Sequence, residues 1–161
     1  MPPQLTAWYA DDVIEIMLGF ADEARALETG GVLLGYATET EWVVGAVVGP
    51  GPDASHWATG FTPDAEWQAE RIAELYEASG RRLQYLGDWH THPAGSAVPS
   101  KLDRRTLLQI AHSSPARCPR PLMAILAGSS DHSWTLGSYV SIRWARRRVV
   151  TAAGSLSLIH I

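Results

Sequence analysis

Two histidines stand two residues apart in Gly87-Asp88-Trp89-His90-Thr91-His92-Pro93, and a carboxylate follows in Ser100-Lys101-Leu102-Asp103. In an extended chain successive side chains alternate faces, so His90 and His92 project to one side and can grip an ion together. The run from Leu83 to Trp89 has the composition of a strand. Pro93, with no N–H to donate, ends the ladder and leaves the pair at a strand's end open to solvent. Asp103 reads in two ways. With Ser100 as N-cap it is the third helical residue, resembling a capping box. It also falls on the stripe of Leu107, Ile110 and Ala111, facing the core, where a carboxylate needs a partner. A cation shared by His90, His92 and Asp103 supplies that partner, and two imidazoles plus a carboxylate with a free position form the ligand set of a catalytic zinc site. The capping and ligand roles are compatible. Asp88 shares the histidines' face and is the alternative ligand; further down the strand, it is better placed to accept from an imidazole N–H.

His90-Thr91-His92-Pro93, six residues, then Ser100-x-x-Asp103, with Glu28 ahead of the glycine-containing strand Gly30-Gly31-Val32-Leu33-Leu34-Gly35, resembles the signature of the JAMM (JAB/MPN+) metallopeptidases. The match is closest to the stand-alone prokaryotic JAB branch and runs from about Asp11 to about Trp144. The resemblance implies a curved mixed sheet flanked by helices, in a sandwich of the JAB/MPN and cytidine-deaminase kind. It implies Zn2+ held by His90, His92 and Asp103, with Glu28 as general base and Ser100 as the donor to the developing oxyanion. Zinc with three protein ligands acidifies water to a pKa of about 7 and polarises an amide carbonyl. The implied activity is peptidase or isopeptidase cleavage after the C-terminal tail of a ubiquitin-like protein or its conjugates. The implied partners are ubiquitin-activating and ubiquitin-conjugating-like enzymes, in settings that include antiphage defence. A tail of this kind can be read by strand addition at an exposed sheet edge. The short span from Asp103 to Pro121 leaves little room for a substrate-gripping insertion, so modest linkage selectivity is expected. Two rival readings are an inactive MPN scaffold, disfavoured because all five motif residues are present, and a RadC-like or small-amide hydrolase. The RadC-like relatives share a Pro-Ser-x-x-Asp run like Pro99-Ser100 to Asp103, but the basic surface and N-terminal helix-hairpin-helix region are missing.

The 161 residues, 46% hydrophobic and 19% charged, fit one α+β domain expected over residues 1–150. The tail Thr151–Ile161 shows no cap, turn chemistry or period and is expected to be disordered or non-native. A net charge of −4 argues against a nucleic-acid binder. The basic cluster of Arg143 and Arg146 to Arg148 reads as a solvated element end. No apolar run of about 18 residues and no signal-peptide pattern is present, so no membrane partner and a cytoplasmic location are expected. The single cysteine, Cys118, is expected to be a bystander in a loop.

The elements that must position the site follow in order. Asp11 is expected to cap a helix carrying Val13, Ile16, Met17 and Phe20 that fades by Leu27, leaving Glu28 at a helix-to-strand junction. Val32–Tyr36 and Glu41–Val48 read as a hairpin. Gly49 to Phe61, holding His56 and Trp57, reads as a long loop that could line a substrate groove. Thr62-Pro63-Asp64 signals a helix running to Ser79 with Ala69, Ile72, Ala73, Leu75 and Tyr76 inward. Leu122–Leu126 and Ser133–Val140 are further strands. His56, His112, His132 and His160 have no partner at ligand spacing and read as ordinary surface or loop residues.

Overall fold

A computed structural model describes residues 3–128, 134–142 and 145–154. Alternating Ala7 and Tyr9 face the core from β1 (Thr6–Ala10), and the chain turns directly into α1 (Asp11–Ala24). The extended end of β1 is itself the cap, so Asp11 is not one: Ala10 is the N-cap and makes no side-chain bond, while Asp11 and Asp12 sit in the first turn, where the helix dipole favours acids. Val13, Met17 and Ala21 are the buried face.

The Val-rich runs form β2 (Gly30–Ala37) and β3 (Glu41–Val48) as the expected antiparallel hairpin. The segment expected to be a loop instead holds a two-stranded ribbon of β4 (Ser55–Trp57) and β5 (Gly60–Thr62), separate from the main sheet. The next helix starts later than Thr62-Pro63 suggests: α2 spans Ala65–Ala78, so Asp64 rather than Thr62 is its cap, with the Asp64 carboxylate accepting from the Trp67 N–H at 3.2 Å. Trp67, Ile72 and Leu75 pack on Val32, Leu34 and Val48, whereas Ala69 and Ala73 are exposed, and the buried Gln68 donates to the Gly49 carbonyl.

The histidine strand is β6 (Gln84–Pro93), followed by α3 (Lys101–His112), β7 (Leu122–Gly128), β8 (Thr135–Ile142) and β9 (Ala145–Gly154). The seven-stranded mixed sheet runs β1-β3-β2-β6-β7-β8-β9, and β9 returns to lie parallel beside β1, closing it. This is the expected α+β architecture. β9 carries the chain through Thr151–Gly154, past residue 150; the tail residues 155–161, with Arg143, His132 and His160, lie outside the described residues, while Arg146 to Arg148 belong to β9. Along β7, Leu122, Ala124 and Leu126 join the main core while Met123 and Ile125 pack under α3 with Leu107, so this strand is buried on both faces. Inside the core the Tyr9 hydroxyl and Ser138 hydroxyl share a 2.8 Å hydrogen bond, which burial requires. Among the described residues no helix is long and apolar enough to cross a membrane. Cys118 is buried, its thiol donating to the Leu86 carbonyl at 3.4 Å and pushed up to about 11 by burial.

Candidate metal centre and active site

A bulge decides which way the histidines face. The pairing of β2 with β6 slips between Leu33 and Leu34, which face Gly87 and Tyr85. Before the slip Leu83 and Tyr85 pack toward α2 and Leu86 enters the main core; after it Trp89 is the core residue. Unbroken alternation would put residue 90 on the same face as Leu86. The extra residue re-aims Asp88, His90 and His92 to the face where α3 begins. Gly87 makes this possible with φ of 148°, and a Cβ there would come within 1.8 Å of the Leu122 carbonyl oxygen.

α3 brings Asp103 to the histidines. Ser100 is its N-cap in a full capping box: the Ser100 hydroxyl accepts from the Asp103 N–H at 3.1 Å, and Asp103 Oδ2 accepts from the Ser100 N–H at 2.7 Å. The cap holds the carboxylate so that Oδ1 lies 3.2 Å from His90 Nε2 and Oδ2 lies 3.2 Å from His92 Nε2. The two Nε2 atoms are 3.0 Å apart. The cap and the cluster therefore coexist on one aspartate. A hydroxyl that accepts keeps its own proton to give, so Ser100, which lines the same cleft, retains a donor.

The donor chemistry fits a metal ion. His92 Nδ1 donates to the Ser96 carbonyl at 2.8 Å, which in the neutral ring leaves a lone pair on Nε2. That lone pair faces a second imidazole nitrogen and a carboxylate whose side chain is only 16% exposed. Three acceptors this close repel one another unless a cation or a shared proton lies among them. Ligands about 2.0–2.1 Å from a tetrahedral ion are about 3.3 Å apart, close to the spacing found here. The crowding marks the titration too. Burial would raise the Asp103 carboxyl, but when the imidazoles carry the shared proton their hydrogen bonds to it outweigh burial and hold the group well below the usual carboxylate range. The Asp103 bond in turn raises His92. Among the described residues these three are the cluster of His, Cys, Asp and Glu able to hold a metal.

Asp88 is not in that cluster. It accepts the Tyr85 hydroxyl at 2.9 Å rather than an imidazole N–H, and it meets His90 through charge alone; burial raises its carboxyl.

Glu28 sits where expected, between α1 and β2. Gly30 pairs with His90, and Thr29 exchanges bonds with Thr91: the Thr91 N–H donates to the Thr29 carbonyl at 2.9 Å and the Thr29 N–H to the Thr91 hydroxyl at 3.0 Å. Continuing that register sets Glu28 opposite His92 on the same face. Burial raises its carboxyl, while the charges of His90 and His92 pull it down and that of Asp103 pushes it up. Glu28, His90, His92, Ser100 and Asp103 line one cleft of about 490 Å³ between the starts of α2 and α3, with the β4–β5 ribbon over its edge. A larger cavity of about 590 Å³ uses Leu27 and Thr29 as part of its wall but holds none of these groups.

Two residues near the site carry no local sequence signal. Tyr139 donates to the Ala97 carbonyl at 2.6 Å and pins the loop between His92 and Ser100. His56 was expected to be an ordinary surface or loop residue; it is half-buried and donates from Nδ1 to the Glu28 carbonyl at 2.9 Å. His112 is ordinary, bonding the Leu108 carbonyl within its own helix.

The family model for prokaryotic homologs of the JAB domain matches residues 10–137. A probable metalloprotease of Sinorhizobium fredii, y4qB, is 38% identical over 156 residues, covering 93% of this chain and 94% of its own length. A CD-NTase/cGAS isopeptidase of Enterobacter hormaechei is 33% identical over 137 residues, covering 83% of this chain and 74% of its own. The solution structure of protein DSY2949 from Desulfitobacterium hafniense shares the fold, with a TM-score of 0.71 at 20% identity over 96% of this chain and 97% of that one.

Proposed function

The chain belongs to the prokaryotic JAB family of metallopeptidases, and from that premise we propose that it is a zinc-dependent isopeptidase that cuts after the C-terminal tail of a ubiquitin-like protein or its conjugates. The observation that carries the proposal is the convergence of His90, His92 and Asp103 within 3.2 Å of one another in a cleft that Glu28 and Ser100 also line. His90, His92 and Asp103 would hold the ion, which supplies Lewis acidity when bound.

Glu28 then takes the proton from the attacking water and passes it to the leaving amine. Its carboxyl, raised by burial, lies closer to the working range of a base than an exposed glutamate. Ser100 Oγ–H donates to the scissile carbonyl oxygen as charge gathers there, a contribution of about 3–4 kcal/mol for a well-placed donor. The amine released is a lysine Nε if the substrate is an isopeptide conjugate. The relatives named CD-NTase/cGAS isopeptidase support that class of bond. The place proposed beside ubiquitin-activating and ubiquitin-conjugating-like enzymes, including in bacterial defence, follows from the motif's resemblance alone.

The test pairs metal content with cleavage. Mass spectrometry of the purified protein should find about one zinc per chain. The zinc-loaded protein should release the extension from a ubiquitin-like protein carrying a C-terminal peptide, or separate a lysine-linked conjugate, and leave free dipeptides intact. A well-folded protein without metal overturns the reading in favour of a scaffold. Cleavage of dipeptides alone would favour a small-amide hydrolase.

A further inference from the structure

We propose that His56 is the positioning residue for Glu28, fixing the backbone of the general base through a hydrogen bond from the imidazole Nδ1–H to the Glu28 carbonyl; this rests on the reading of Glu28 as the base. The atoms are 2.9 Å apart, and because a carbonyl only accepts, the proton is on Nδ1. The Glu28 N–H donates to the Trp57 carbonyl at 2.9 Å. Both backbone groups of Glu28 are therefore held by two consecutive residues of β4. The next residue is held from the opposite side, since Thr29 exchanges its bonds with Thr91, which lies between the two histidines of β6. The junction is thus clamped between the ribbon and the histidine strand.

The clamp matters because of what Glu28 is. Its side chain has three rotatable bonds, and among the described residues no hydrogen bond holds its carboxylate. Aim is set where the chain is set. A displacement of about 1 Å in a reacting group can cost on the order of 10²-fold in rate. The imidazole is itself braced: His56 lies opposite Phe61 in the ribbon, with ring centroids 6.1 Å apart and planes 13° from parallel. Phe61 in turn abuts Gly30, where a Cβ would come 2.7 Å from the ring. One cross-strand pair therefore covers the segment from Glu28 to Gly30, with His56 bonding its first residue and Phe61 pressing on its last. A plainer account is that His56 only satisfies a carbonyl that would otherwise lack a partner. That account predicts a loss of stability with turnover unchanged.

Two substitutions separate the accounts. His56→Phe keeps a ring for Phe61 and removes the donor. His56→Asn restores an N–H at the position of Nδ1 without the ring. Both are made in the full-length zinc-loaded protein, with folding checked by circular dichroism. Hydrogen exchange of the Glu28 and Thr91 amides is followed by nuclear magnetic resonance. Turnover is measured on the peptide-extended ubiquitin-like protein. His56→Phe should leave zinc content and KM unchanged, lower kcat about tenfold and speed Glu28 exchange about tenfold, with Thr91 still protected. His56→Asn should recover most of both. In a Glu28→Ala background His56→Phe should cost no further turnover. The proposal is overturned if His56→Phe exchanges like wild type, or if His56→Asn is no better than His56→Phe. Wild-type turnover by Glu28→Ala would instead sink the assignment of the base, and the exchange result would still decide whether His56 fixes the segment.

Discussion

His90, His92 and Asp103 are aimed by two regular elements close together in the chain, whereas Glu28 sits on an irregular junction aimed by segments far from it. The first group needs a bulged strand, a helix and a capping box, all between residues 84 and 112. The second needs a bond from His56, a bond to Trp57 and the pairing of its neighbour Thr29 with Thr91, 62 residues further along. A cleft that works as a peptidase must bring these two constructions into register to within a fraction of an ångström. Metal retention reads the first group and turnover reads both, so mutants at each should fail differently.

The largest effect should come from His90→Ala and Asp103→Ala, whose native side chains meet at 3.2 Å and each of which would remove one of the three proposed ligands. Zinc should fall from about one per chain to near zero, with activity at background, as measured by mass spectrometry and conjugate cleavage. Next comes Glu28→Ala, which should keep the zinc and lower kcat by about 10²–10⁴-fold with little change in KM. Equal zinc loss in Glu28→Ala would erase the division between the two groups.

Legibility in the sequence follows the same division. The His-x-His pair and the Ser-x-x-Asp start were readable because their geometry is local: strand alternation and a capping box each fix a side chain within three residues of its neighbour. The α+β class and the β2–β3 hairpin were readable for the same reason. The bulge was only hinted at by Gly87, and without it period-two counting sets His90 on the face of Leu86. The β4–β5 ribbon was not readable, because strands of three residues carry too little alternation to stand out from a Gly- and Pro-containing loop. His56 stayed hidden because its role exists only once that ribbon folds over Glu28. The pairing of β1 with β9 joins the two ends of the described chain, Thr6 to Val150, and no local pattern encodes such a contact.

Ser100 tests whether one hydroxyl can both cap α3 and donate to the substrate. Ser100→Ala removes the hydroxyl that accepts the Asp103 N–H, and it should lower kcat about 10²-fold and cost about 1 kcal/mol of stability in thermal unfolding. Ser100→Gly should recover most of that stability, since glycine caps within a few tenths of a kcal/mol, while turnover stays low. Recovery of turnover together with stability would make Ser100 a cap alone.

The smallest effect should come from Asp88→Asn, and it tests which carboxylate belongs to the histidines. Asparagine keeps an oxygen for the Tyr85 hydroxyl and removes the charge felt by His90, so the strand should hold its shape. Partners that hydrogen-bond a metal-ligating histidine typically change metal affinity 10–100-fold when removed. Asp88 makes no such bond to His90 or His92, so zinc should remain at full stoichiometry, with affinity shifted less than about tenfold in a chelator competition. Loss of zinc from Asp88→Asn, with Asp103→Ala retaining it, would transfer the ligand role from α3 to β6. Asp103 would then be only the capping acid of α3, and the ion would be held within one strand instead of bridging two elements.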